Sequence, residues 1–373
     1  MSGIYLHIPF CDTKCIYCDF YSITDHSRKN EFVNCIVKEI KDKSTSLGSK
    51  HFDTIFFGGG TPSLLVYDDF SLIFETLYNN LSVSDKSEIT IEANPGTLNK
   101  QKLEQLKKLP VNRISFGVQS FNDNELKFLT RIHSSAQAVE SVKSAQDVGF
   151  DNINIDLIFA LPEQTLESWQ NTLKKAIELK TQHIAAYSLI FEEGTILFDL
   201  FKKNKVTKMT DEKERKYYDF TMEFLRNNGF EQYEISNFAK LGYECKHNLK
   251  YWERNEYIGF GPSAASFIDD NRRLNVRDIN EYINRVNSGV KTYDFTENID
   301  YQTSLYEYIF LGLRSKGIDL KEFINRYEFD FENKYKDTVK LLTENKLAYK
   351  NKSTFRLTSK GYAVCDEILS SYF

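Results

Sequence analysis

Six short runs of strand composition punctuate the first half of the chain, at residues 4–8, 54–57, 88–92, 113–118, 152–159 and 184–190. They are rich in Ile, Phe, Val, Thr and Tyr, which suit a pleated strand. Between them apolar residues recur at helical spacing: Phe32, Ile36, Val37 and Ile40; Leu103, Leu106 and Leu109; Val139, Val142 and Ala145; Trp169, Leu173, Ala176 and Ile177. Strand alternating with helix implies parallel strands joined by crossover helices. The pattern predicts an α/β fold built on a partial or complete (β/α)6 barrel. In such barrels chemistry sits where strands end and the following loops begin. The prolines agree: Pro9, Pro62, Pro95 and Pro162 each follow a predicted strand within a few residues, where proline can no longer interrupt a ladder.

After about residue 235 the rhythm changes. Residues 238–248 read as loop, Gly259-Phe260-Gly261-Pro262 as a turn, and 278–287 as a helix with Ile279, Tyr282, Ile283 and Val286 on one face. The last seventy-three residues carry helical patterns, then Leu347-Ala348-Tyr349, a polar turn and Phe355-Arg356-Leu357. Helices followed by a small hairpin predict an α+β, winged-helix-like module over 301–373. The expected domains are therefore 1–235 and 236–373. The module holds 12 Lys and Arg against 10 Asp and Glu, and the whole chain 48 against 53. Neither balance is the basic footprint of a nucleic-acid binder, so no nucleic-acid partner is expected. A structural or substrate-covering role is expected for the module. No apolar run approaches the ~20 residues of a membrane span. The start, Met1-Ser2-Gly3-Ile4-Tyr5, lacks the features of a secretory signal, and a cytosolic place is expected.

Of six cysteines, Cys11, Cys15 and Cys18 lie within eight residues as C-x₃-C-x₂-C, directly after the first strand. Cys35 and Cys365 sit in helical patterns and read as small buried hydrophobes. In a reducing compartment a tight triplet reads as a metal or cluster site rather than a disulfide framework. Thiolates are the usual ligands of a cubane iron–sulfur cluster, and three of them leave the fourth iron without a protein ligand. The alternative is zinc held by the three thiols with His7 or His26, although no second C-x₂₋₄-C element is present. Further on, Gly58-Gly59-Gly60-Thr61-Pro62 ends the second strand, and glycines there let backbone approach a ligand closely. Glu92 closes the third strand, in Glu92-Ala93-Asn94-Pro95, with a carboxylate that can accept hydrogen bonds. Asp156, on a central strand, needs a partner, and Arg131 is a candidate. His247, within Cys245-Lys246-His247-Asn248-Leu249-Lys250-Tyr251-Trp252, is either a core histidine or a ligand flanked by aromatic rings.

His7-Ile8-Pro9-Phe10-Cys11 with the cysteine triplet resembles the radical S-adenosylmethionine (SAM) superfamily. Within it, the chain is similar to the branch holding the oxygen-independent coproporphyrinogen III oxidases and the HemW-type haem chaperones. The resemblance implies a radical SAM barrel with a [4Fe–4S] cluster on Cys11, Cys15 and Cys18. In that family SAM binds the fourth iron through its amino and carboxylate groups, and electron transfer splits its sulfonium to a 5′-deoxyadenosyl radical. The family's SAM contacts carry over to Tyr5, Tyr17, Gly59, Gly60, Thr61, Glu92, Gln119, Arg131 and Asp156.

Two departures separate the branches. The oxidases extend the cluster motif with a fourth cysteine, and Phe20 stands at that place here. They also carry a long segment before the cluster, whereas ten residues precede Cys11. His247 to Trp252 resembles the H-N-x-x-Y-W signature of the chaperone type, which implies haem contact over 245–266 with His247 as the ligand. The chaperone reading implies haem delivery to respiratory acceptor proteins, peripheral contact with the membrane, and room for a homodimer. Whether SAM is cleaved or only bound stays open, and the oxidase, forming protoporphyrinogen IX, is the alternative. A winged-helix regulator that senses through the cluster is a third.

Overall fold

A computed structural model describes residues 1–373. The six expected runs are strands: β1 (Ser2–Ile8), β2 (His51–Gly59), β3 (Ser82–Ala93), β4 (Arg113–Gln119), β5 (Ile153–Phe159) and β6 (His183–Ser188). Each is parallel to the next, in chain order. The connections carry helices α1 (Lys29–Leu47), α2 (Tyr67–Asn80), α3 (Lys100–Lys107), α4 (Asp123–Phe128), α5 (Ser135–Asp147) and α6 (Leu166–Glu178).

Successive strand residues point to opposite faces, and this sorts the sheet chemically. Ile4, Leu6 and Ile8 of β1, Ile55 and Phe57 of β2, Ile89 and Ile91 of β3, and Ile114 and Phe116 of β4 join one core. Phe32 and Ile36 of α1, Phe70 and Phe74 of α2, and Trp169 of α6 pack into the same core. The alternate residues are Tyr5, Phe56, Glu92, Ser115, Asp156 and Tyr187, one from each strand, and all line a single cavity. The sheet therefore curls round a polar lumen. Parallel strands buried on both faces usually read as continuous apolar runs; the polar alternation marks the inner face as the place of function.

The barrel is open, and later chain extends both edges. Past α7 (Ile196–Lys202) and α8 (Asp211–Asn227), β7 (Glu231–Gln232) and β8 (Asn237–Ala239) add to the β6 edge, with β8 antiparallel to β6. After α9 (Lys246–Trp252), β9 (Tyr257–Phe260) pairs parallel to β1. The sheet continues through β10 (Ala265–Ile268), β11 (Asn271–Asn275) and, beyond α10 (Ile279–Asn287), β12 (Tyr293–Asn298). The expected boundary at 235/236 is thus corrected. Residues 237–298 belong to the barrel sheet, and Ile258, Phe260, Tyr282 and Ile283 share its core.

The second unit begins at α11 (Tyr301–Leu313) and runs through β13 (Ile318–Asp319), α12 (Leu320–Tyr327), α13 (Phe331–Lys334), α14 (Lys336–Glu344), β14 (Ala348–Lys350), β15 (Thr354–Leu357), α15 (Ser359–Tyr362) and α16 (Cys365–Tyr372). Its three strands form a separate antiparallel sheet in the order β13-β15-β14. This is winged-helix connectivity, over a core of its own that includes Leu305, Phe323, Phe331 and Phe355.

One buried carboxylate ties the first helix to the late strands. Glu39 of α1, 2% exposed, accepts from Gly261 N (2.8 Å), Tyr282 Oη (2.7 Å), Asn275 Nδ2 (3.0 Å) and Thr292 Oγ1 (2.9 Å), and pairs with Lys43. Replacing it strands several buried donors at once. Glu39→Ala is expected to cost about 3–5 kcal/mol in urea unfolding. A loss below about 1 kcal/mol would show that the hub contributes little.

Candidate functional site

The cysteine loop leaves β1 and is pinned at both ends. Cys11 N donates to Ile23 O (2.9 Å), and Ile23 N to Pro9 O (2.7 Å). Inside it, Cys18 N reaches Cys15 O (3.2 Å). The three thiols are free and half-buried. The glycines at the end of β2 have a steric reason: a Cβ on Gly60 would stand 2.7 Å from Phe10 O and 2.9 Å from Ile8 O. That close approach permits Gly60 N to donate to Ile8 O (2.8 Å) and Thr61 N to Phe10 O (2.7 Å). Gly59 has φ +106°, and a Cβ there would meet the His7 ring at 2.6 Å. Gly59 and Gly60 thus seat the cysteine loop against the barrel.

A chain of side chains then links two of the thiols. Cys11 Sγ lies 3.4 Å from Thr61 Oγ1, which accepts from Asn94 Nδ2 (2.8 Å). Asn94 Oδ1 accepts from Arg131 Nη2 (2.6 Å), and Arg131 Nη1 donates to Cys15 Sγ (3.4 Å). Arg131 also donates to Gly117 O (2.7 Å), while its Nε is buried without a partner. Tyr17 packs beside this guanidinium, which lowers the pKa that burial raises. Without a metal, burial pushes the Cys11 thiol up and Cys18 up to about 11; bound iron would displace those protons.

This donor set suits a [4Fe–4S] cluster. Three thiols share one loop, hydrogen-bond donors reach two of the sulfurs, and a cation offsets thiolate charge. It suits the zinc alternative poorly. His7 Nδ1 meets Tyr5 Oη (3.1 Å) and its Nε2 meets Tyr21 O (2.8 Å), while His26 Nε2 is engaged with Cys11 O (3.2 Å).

The lumen holds four of the other expected residues. Glu92, Asp156, Tyr5 and Gly59 line a cavity of about 210 Å³ beside the loop. Burial raises Glu92 to about 8, with the nearby Asp156 adding to it. Burial also raises Asp156, which accepts from Asn154 Nδ2 (2.7 Å) and Ser115 Oγ (3.2 Å). The expectation that Arg131 pairs with Asp156 is corrected, because the guanidinium is held by Asn94, Gly117 and Cys15 instead. Gln119 ends β4 at φ +66°, unusual for a residue with a Cβ, beside a register shift against β5.

His247 is placed differently from expectation. The 238–248 loop is partly structured: residues from Lys246 form α9, which reaches into the lumen. Its first N–H groups are capped by Glu88 of β3, through Lys246 N (3.2 Å) and His247 N (3.1 Å). His247 is 1% exposed; its Nδ1 meets Thr54 Oγ1 (2.8 Å) and its Nε2 meets Tyr251 Oη (2.9 Å). In this arrangement both ring nitrogens of His247 are hydrogen-bonded. Burial lowers its pKa to about 3.

Sequence reasoning missed Asn94, Glu88 and Arg113. Arg113 is 2% exposed and lines the cavity, and its Nε has no hydrogen-bond partner. The period-two alternation of the strands could have flagged Glu88 and Arg113 as lumen-facing.

Glu92 gives a pH signature. Its folded pKa of about 8 lies above the ordinary 4.5, so the folded chain keeps a proton that the unfolded chain releases. Stability from this group is complete below pH 4.5 and is lost progressively up to about 8. Glu92→Gln is expected to gain on the native chain by roughly 1–3 kcal/mol over that range, in urea titrations at the two ends. A pH-independent difference would contradict the raised value.

Residues 5–176 match the radical SAM superfamily, and 299–364 match the HemN C-terminal domain. The "Heme chaperone HemW" of Bacillus subtilis (strain 168) is 35% identical over 100% of this chain and 99% of its own. That of Lactococcus lactis is 33% identical over 100% and 97%, and that of Escherichia coli (strain K12) 37% over 70% and 69%. Among solved structures, coproporphyrinogen III oxidase (HemN) from Escherichia coli superposes with a TM-score of 0.84 at 22% identity, covering 100% of this chain and 90% of that one. That likeness is one of fold. Full-length identity of this order settles descent: the chain belongs to the HemW family within the radical SAM superfamily.

Proposed function

We propose that this protein binds a [4Fe–4S] cluster, SAM and haem, and hands haem to acceptor proteins, respiratory ones among them. Cys11, Cys15 and Cys18 hold the cluster. Tyr5, Tyr17, Gly59, Gly60, Thr61, Glu92, Gln119, Arg131 and Asp156 surround SAM at the open iron. A reduced cluster supplies an electron that can cleave SAM. The single observation that carries the cluster assignment is the hydrogen-bonded chain from Cys11 through Thr61, Asn94 and Arg131 to Cys15. Haem handling is supported by the relatives described as heme chaperones, and by Phe20, 66% exposed, where the oxidases carry a further cysteine. No helix is long and apolar enough to cross a membrane, which suits delivery from the cytosol by peripheral contact.

Anaerobic reconstitution followed by haem titration tests the reading. Saturable, stoichiometric binding is expected, and its absence would sink the chaperone assignment. Decarboxylation of coproporphyrinogen III in the same preparation would establish the oxidase in its place. Cys15→Ser should lose most of its iron, whereas Cys365→Ala, altered in the separate C-terminal core, should keep it. Equal iron in the two variants would overturn the ligand assignment.

A further inference from the structure

One buried cation in the barrel has no direct partner. Arg113 is 2% exposed and is the only Lys or Arg on the lumen cavity of about 210 Å³. Its Nε has no hydrogen-bond partner, and the acids around its guanidinium act on it only through space. A charge buried in this way is costly unless something pairs with it. Those acids are engaged by donors of their own. Glu88 of β3 accepts from Lys246 N (3.2 Å) and His247 N (3.1 Å) at the start of α9. Asp156 of β5 accepts from Asn154 Nδ2 (2.7 Å) and Ser115 Oγ (3.2 Å). Burial raises Asp156, and raises Glu92 to about 8, which weakens both as anionic partners. Burial, with Arg113 adding to it, lowers His183 and His247, so neither brings a second positive charge.

The strand register sets Arg113 apart from the residues expected around SAM. Arg113 pairs with Thr90 of β3, two residues before the Glu92–Ser115 pair, so it stands one inward layer below Glu92. Rings of Tyr5, Phe56, Tyr187 and Tyr251 wall the same cavity. We propose that the floor of the lumen is a ligand site of its own, which takes a small monocarboxylate with an apolar or aromatic body, its carboxylate held by the Arg113 guanidinium. The chemistry follows from the lining. A guanidinium offers a planar fork of N–H donors that matches a carboxylate, and a single cation balances a single negative charge. The aromatic walls suit the body of the acid. An engineered apolar cavity of about 150 Å³ already holds benzene, so about 210 Å³ leaves room for a ring and a carboxylate. The cavity reaches the surface at Phe20, 66% exposed. The site stands whether or not the chain carries haem.

The test is calorimetric titration of the full chain, at constant ionic strength and without added SAM, with benzoate and its neutral isostere benzamide. Benzoate should bind once per chain, at least tenfold more tightly than benzamide. Arg113→Met keeps the apolar stem and removes the charge; it should weaken benzoate at least tenfold and leave benzamide unchanged. Arg113→Lys, a point charge without the fork, should fall between the two. Saturating benzoate should raise the urea midpoint of the native chain and leave that of Arg113→Met where it is. Should Arg113→Met fail to fold, the comparison of benzoate with benzamide on the native chain, together with Arg113→Lys, decides. No benzoate binding by the native chain, equal binding of benzoate and benzamide, or undiminished benzoate binding in Arg113→Met would overturn the proposal. The guanidinium would then be a structural counter-charge to Glu88 and Asp156.

Discussion

The cysteine loop owes its position to one close approach of backbones. Gly60 passes so near residues 8–10 that no side chain can stand there, and the reward is a pair of hydrogen bonds, Gly60 N to Ile8 O and Thr61 N to Phe10 O. These carry the parallel pairing of β1 and β2 past the ends of the strands and into the loop. From Thr61 the side-chain chain through Asn94 and Arg131 continues to Cys15, so segments after four different strands, β1 to β4, hold one another. A barrel supplies this convergence naturally, because its strand ends gather on one rim. The loop cannot shift without breaking contacts to all of them.

The same alternation that builds the core builds the site. Outward residues of β1 to β5 are Ile, Leu, Phe and Val, and they pack under helices. Inward residues are largely polar or aromatic, and many of them are hydrogen-bonded to one another or to α9 entering the lumen. Burying Glu92 and Asp156 raises both carboxyls, which disfavours two bare negative charges side by side in the lumen. Arg113 and Arg131 each retain a buried Nε without a partner. Such unfilled donors are costly in a finished core and are expected in a chamber shaped for a ligand.

Much of this was legible from sequence because it is written in local patterns. The six strands and the small hairpin at 348–357 follow from composition and turn residues, the helix after Asp278 from apolar spacing, and the cysteine triplet stands out by its position after β1. What escaped depends on distant contacts. Helix α9 starts at Lys246 because Glu88, far earlier in the chain, caps it; no nearby residue announces that. The domain boundary was set too early because β9 completes the sheet beside β1, a pairing that local composition cannot reveal. Of the two partners of His247, Tyr251 is one helical turn away on α9 and could have been read locally, whereas Thr54 on β2 is a distant contact that the motif does not announce.

The account turns on three early thiols gripping a cubane with one iron left free. The most direct measurement is electron paramagnetic resonance of the anaerobically reconstituted, reduced chain, with its iron and sulfide content, before and after adding SAM. About four irons and four sulfides per chain are predicted, with a signal that changes on SAM addition as the open iron takes its ligand. Zinc in place of iron, or a cluster signal indifferent to SAM, would contradict it.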